Sequence, residues 1–183
     1  MHAFVSHWLG DTTAQDMGRL TLNPLKHIDV YTTILLPIIL IKLIGFPFLI
    51  AKPVPFNPHR VKYGEYGVAL VGIAGPLTNL ALAIISGLIL RVGTFSVNGW
   101  LVNTLIVFTE INVAFFVINM IPIPPLDGSR LLYAFAPEPL QKIMMQIEQT
   151  GFMAMIIVFL AIFYVLSPLI GSIDNRLLQF IIG

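Results

Sequence analysis

Asp127 is the residue with the most chemistry to offer. It follows a long apolar run in the order Asn119-Met120-Ile121-Pro122-Ile123-Pro124-Pro125-Leu126-Asp127-Gly128. Prolines at 122, 124 and 125 stop a helix and predict an extended segment, and Gly128 permits a sharp turn. A carboxylate held there stands at the edge of an apolar phase, where an ionised group costs about 2.5–3.5 kcal/mol on insertion scales. Two readings fit. Asp127 can cap a helix that starts near Ser129, as aspartate commonly does. It can also ligate a cation, whose charge would offset the burial of its own.

The histidines offer less. His2 stands near the terminus, where a lone imidazole usually faces solvent. His7 is five positions further, about 140° round a helix, so the two cannot share one metal face. His27 follows Asn23-Pro24-Leu25-Lys26 and His59 sits in Asn57-Pro58-His59-Arg60, both loop contexts. There is no HExxH, no CxxC and no paired-histidine spacing, so motif rules find no complete metal site. Among the remaining polar groups in apolar runs, Glu110 lies in mid-span and reads as a protonated, hydrogen-bonded carboxyl. Asn103, Asn112 and Asn119 read as amides bonding across to neighbouring helices. Gly75-Pro76 loosens its helix and leaves Asn79 one turn on, beside freed carbonyls.

These groups need elements to hold them, and composition says which. The chain has 183 residues, 57% hydrophobic and 10% charged, with no cysteine and a net charge of +1; its mean hydropathy is +0.89. Soluble domains carry about 25% charged residues. An ordinary soluble enzyme, a disordered tail and a disulfide-stapled domain are therefore excluded, and nothing in the charge balance suggests nucleic acid. The expectation is an all-α polytopic membrane protein, folded as a single domain over 1–183.

About 20 apolar residues cross a bilayer as a helix. Residues 66–90, 99–121 and 151–170 qualify cleanly, and 171–183 is left as a tail on the outer side, to lie on the interface or to pair with a partner. The stretch 30–51 is long enough but holds Pro37, Lys42, Gly45 and Pro47, which predicts a broken or re-entrant helix. With 30–51 re-entrant, one face holds seven Lys/Arg and the other holds Arg91 and Arg176. The positive-inside rule then turns 1–29, 52–65 and 122–150 to the cytoplasm. HAFVSHWLGD reads as a helix end, with Gly10 as its stop and Asp11 opening the next turn. Alternation at Arg19-Leu20-Thr21-Leu22 predicts a short strand or hairpin within 18–29 near the cytoplasmic face. KPVPFNP at 52–58 is extended.

Taken together, Gly10-Asp11, GRLTLNPLKHID (18–29), AKPVPFNP (51–58), AGPLTN (74–79) and NMIPIPPLDGSRLL (119–132) resemble the site-2 protease family of intramembrane zinc metalloproteases. The likeness is to the compact bacterial branch without a PDZ or CBS domain, and it covers residue 2 to about 170. In that family HExxH continues into a segment like AxVAxxLGD. His2 falls on the last histidine of the motif and Met1 on its last variable position. The resemblance implies one zinc ion, with His2 and Asp127 as ligands. Gly75, Pro76, Asn79, Asn23 and His27 would lie beside the cleft that receives a transmembrane substrate. The first histidine and the general-base glutamate would fall three and two places before Met1, so no catalytic residue is assigned within the chain. The expectation is a start placed too far downstream. Taken as given, the chain would bind zinc weakly or not at all and would be inactive. A membrane adaptor that grips transmembrane helices is the alternative.

Overall fold

The computed structural model describes residues 1–21, 23, 35, 38, 39, 42, 56–93, 99–149 and 152–182. The chain divides into two compact units, His2–Lys62 and, with Met1, Tyr63–Gly183.

In the first unit α1 (His2–Trp8) is followed by a single turn, α2 (Thr13–Asp16). Gly10 ends α1 at φ +104°, and the Gly10 and Asp11 N–H groups donate to the carbonyls of His7 and Ser6, both at 2.9 Å. This is the glycine stop expected from LGD, in a conformation that a side chain would strain. Asp11 is fully buried. Its carboxylate accepts from Thr13 N–H at 3.0 Å, from Thr13 Oγ1 at 2.5 Å and from Asn57 N–H at 2.7 Å. It therefore opens α2 and also holds Asn57, whose backbone is extended, 46 residues away in sequence. Lys62 N–H donates to Leu9 O at 2.9 Å alongside.

Among the described residues there is no strand, and of the 18–29 segment expected to form a strand or hairpin only 18–21 and 23 are described. The local amides are taken by turns instead. Gly18 and Arg19 N–H close α2 on Gln15 and Ala14, and Thr21 N–H donates to Arg19 O. An amide already satisfied locally cannot enter a ladder. The rest of that segment, His27 included, and nearly all of 30–51 lie outside the described residues.

The second unit is built on α3 (Gly64–Val92), α4 (Trp100–Asn119) and α7 (Phe152–Ile182), with the shorter α5 (Gly128–Phe135) and α6 (Glu138–Gln149) between the last two. Among the described residues three stretches are long and apolar enough to cross a membrane: Gly64–Val92, Trp100–Asn119 and Tyr164–Ile182. Ser86 on α3 meets Thr109 on α4, and the turn after α4 returns to Gly72, so these two helices are antiparallel. Ala83, Val113, Val117 and Ile181 form the buried centre, with Leu177 and Leu178 packed on it. Exposed Tyr63 and Tyr66 mark one end of α3, and exposed Trp100 starts α4 at the other. Aromatic side chains favour such positions at bilayer interfaces.

Two expectations are corrected here. The span read as 151–170 continues to Ile182, and 171–183 is no surface tail, since Ile181 is buried in the core. Pro168 removes the N–H that Tyr164 O would have accepted. Ser167 Oγ donates to that carbonyl at 2.9 Å, so the helix survives. Nor, among the described residues, do the amides of Asn112 and Asn119 reach across. Asn112 and Asn119 donate back to Phe108 O at 2.8 Å and Phe115 O at 3.0 Å. Between α3 and α4 the bond is instead Ser86 Oγ to Thr109 Oγ1, 2.7 Å and buried. A double-mutant cycle with Ser86→Ala and Thr109→Ala, read by unfolding in detergent, is expected to show a coupling of about 0.6 kcal/mol, with about 1.7 as the ceiling.

Candidate metal centre

Asp127 is presented by a run of tight turns rather than by the extended segment expected from its prolines. After α4 ends, Ile121, Ile123 and Leu126 N–H donate to Ile118, Ile121 and Ile123 O in succession. Gly128 closes the run. A Cβ there would lie 2.5 Å from Met120 O and 2.7 Å from Ile121 O, so only glycine lets the turn fold back onto the end of α4. Ser129 Oγ and N–H both donate to Leu126 O, at 2.6 and 3.0 Å.

Asp127 stands at the N-cap of α5, as the capping reading required, but its side chain makes no cap hydrogen bond. Its backbone is already helical, with φ −59° and ψ −34°. A capping residue normally keeps an extended backbone so that its side chain can curl back to the second or third amide. The carboxylate is half-buried and has electrostatic partners. One is the amino group of Met1: burial lowers that group's pKa, and the Asp127 charge opposes the shift.

Of the other predicted site residues, Pro76 is buried within α3, and Gly75 and Asn79 are half-buried beside it. These belong with Asp127 to the second unit. His2 opens α1 in the first unit, half-buried, and Asn23 of the same unit is exposed, its N–H donating to Thr21 Oγ1 at 3.1 Å. Glu110 is exposed on α4. Among the described residues no three His, Cys, Asp or Glu side chains gather as a metal site. Imidazole and carboxylate are both zinc donors, yet a catalytic zinc takes three protein ligands.

Sequence reasoning missed Gly72 and Arg130, which frame the Asp127 turn. Gly72 sits in a run of small residues on α3 with nothing in its neighbourhood to single it out. Arg130 is one of several basic residues on its face, and its ion pair with Glu148, Nη1 to Oε1 3.2 Å, joins α5 to α6.

Comparisons with known proteins follow the same line. The model of "Peptidase family M50" matches residues 90–163. The Bacillus subtilis (strain 168) protein named "Putative zinc metalloprotease YwhC" is 34% identical over 97% of this chain and 82% of its own length. Two mycobacterial proteins named "Putative zinc metalloprotease Rip2" are also similar. The one from Mycolicibacterium smegmatis is 29% identical, with 87% of this chain and 60% of that protein covered. The one from Mycobacterium tuberculosis (strain H37Rv) is 27% identical, with 87% and 61% covered. The chain therefore spans about three-fifths of the mycobacterial relatives. No solved structure matches.

Proposed function

The chain belongs to peptidase family M50, the site-2 protease family, and from that premise we propose that it forms the membrane core of an intramembrane zinc metalloprotease. Its substrates are transmembrane proteins or peptides, hydrolysed from within the bilayer. The protein crosses the cell membrane several times as one domain, with the active-site face towards the cytoplasm. The observation that carries this reading is Asp127: it occupies an N-cap position and does not cap. A carboxylate at the start of α5 whose side chain makes no cap hydrogen bond is in keeping with metal binding.

In this reading His2 and Asp127 hold zinc together with the first histidine of HExxH, whose place precedes Met1. When bound, such a metal supplies an acidified water and a Lewis acid for the scissile carbonyl. The roles this reading gives to His2, Asp127 and Asn79 are binding and orientation. Gly75, Pro76 and Asn79 on α3, with Asn23 and His27, border the cleft. A substrate helix must unwind there, because its carbonyls are otherwise engaged along the helix.

The test pairs this chain with a version extended upstream by the in-frame codons. Both are purified with a single-span reporter and assayed for zinc and cleavage. The extended protein is expected to hold stoichiometric zinc and to cleave until a chelator is added; this chain alone is expected to cleave negligibly. Upstream codons without a His–Glu pair, or an extended protein that neither binds zinc nor cleaves, overturn the proposal. Metal-free capture of the reporter's helix would then establish the adaptor alternative.

A further inference from the structure

We infer that Gly72 and Arg130 are positioning residues for the Asp127 carboxylate, an inference that deepens the protease reading and draws its functional meaning from it. Glycine inside a helix is unfavourable relative to alanine, so Gly72 in the middle of α3 calls for a reason. A Cβ at Gly72 would come 2.8 Å from the Cβ of Arg130 and 3.0 Å from the backbone O of Asp127. The first turn of α5 thus lies directly on the backbone of α3, with no room for a methyl group.

Arg130 links that contact to the carboxylate. Its N–H donates to Asp127 O at 3.1 Å, so a push on the Arg130 Cβ is transmitted to Asp127 within one turn. Its guanidinium pairs with Glu148 on α6, which fixes the far side of the arginine. Gly128 packs against Met120 and Ile121 on the third side. Asp127 is gripped by α3, by the end of α4 and, through Arg130, by α6. A side chain that formed a helix cap would need none of this, because the cap bond would locate it. A metal ligand must be held within roughly 0.5 Å of its working position by residues that are themselves locked in place.

The test reads the carboxylate directly, by carbodiimide-driven amidation of the full chain followed by peptide mass spectrometry. Gly72→Ala is expected to raise the labelling rate of Asp127 several-fold, while exposed Asp16 and Glu138 stay unchanged. Adding Arg130→Gly, which deletes the obstructing Cβ but also the Glu148 pair, is expected to bring the rate part of the way back and leave it above wild type. Adding Arg130→Ala, which keeps that Cβ, is not. A purely structural role for Gly72 would shift all carboxylates together and would not distinguish the two arginine variants. An unchanged Asp127 rate in folded Gly72→Ala, or equal behaviour of the two double variants, overturns the inference. If Gly72→Ala fails to fold, Gly72→Ala/Arg130→Gly must fold and label Asp127 more slowly than Gly72→Ala/Arg130→Ala; a double variant that does neither overturns it as well. The outcomes stay distinct from those of the protease proposal. The predicted labelling pattern, in a family whose extended protein takes up no zinc, sinks the protease reading alone. Zinc uptake with no labelling shift sinks only the role of Gly72.

Discussion

Replacing Asp127 with asparagine is expected to abolish zinc retention and reporter cleavage in the extended protein while leaving its unfolding almost unmoved. Loss of a group that merely orients a metal ligand typically costs about 10–100-fold in affinity or activity. Loss of a ligand itself should therefore exceed about 100-fold. The stability side separates the metal reading from the capping one. Asparagine caps a helix as well as aspartate does, so a capping Asp127 would make Asp127→Asn nearly silent in both assays. Asp127→Ala would then cost about 1 kcal/mol. Because the Asp127 side chain makes no cap bond, the alanine variant is expected to lose no more than the charge–dipole contribution at the start of α5, about 0.3–1 kcal/mol. Zinc content, cleavage and thermal unfolding of the two variants decide it. An active Asp127→Asn protein beside a destabilised Asp127→Ala protein would return Asp127 to the role of cap.

Asp127 was legible in the sequence because its context is chemically loud: an apolar run, three prolines, then a carboxylate and a glycine. The spans were legible for a similar reason, since long runs with almost no charge have few other fates. What escaped was decided by single atoms rather than by pattern. The span read as 151–170 runs on, because the hydroxyl of Ser167 takes the carbonyl orphaned by Pro168 and α7 continues to Ile182. Several polar groups on α4 could have bonded to α3, and the hydroxyl of Thr109 does so while the amides of Asn112 and Asn119 turn back on their own helix. The alternation at 19–22 resembled a strand, but the closing turn of α2 had first claim on those amides. Gly72 carries no sequence signal, because its meaning lies in the arginine 58 residues later that packs on it.

Asp11→Ala is expected to be the most destabilising single change in the first unit, at roughly 2–6 kcal/mol. The figure follows from what the substitution strands. Thr13 N–H and Asn57 N–H both lose their acceptor, and each buried donor left unsatisfied costs about 1–3 kcal/mol; the Thr13 hydroxyl can rotate to another partner. Burial alone would raise the Asp11 pKa. The hydrogen bonds from Thr13 and Asn57 and the charge of Arg60 outweigh that, and the net shift is downward from the usual carboxylate value. The folded state therefore binds fewer protons than the unfolded chain just below pH 4, and stability rises with pH through that window. The contribution of Asp11 is complete above the unfolded-state pKa of about 3.9 and is lost as pH falls through the lower folded-state value. The wild-type protein should thus show an acid-side loss of stability that is diminished in Asp11→Ala. Hydrogen exchange at the Asn57 amide should quicken in step, because that amide is held to the α1–α2 turn by this carboxylate. If the two proteins lose stability in parallel below pH 4, or if Asn57 remains protected in the variant, Asp11 is not the tether. The consequence reaches His2, since Asp11 anchors the turn in which α1, the helix carrying His2, ends. A released turn leaves that helix with a frayed end and His2 on a less rigid support.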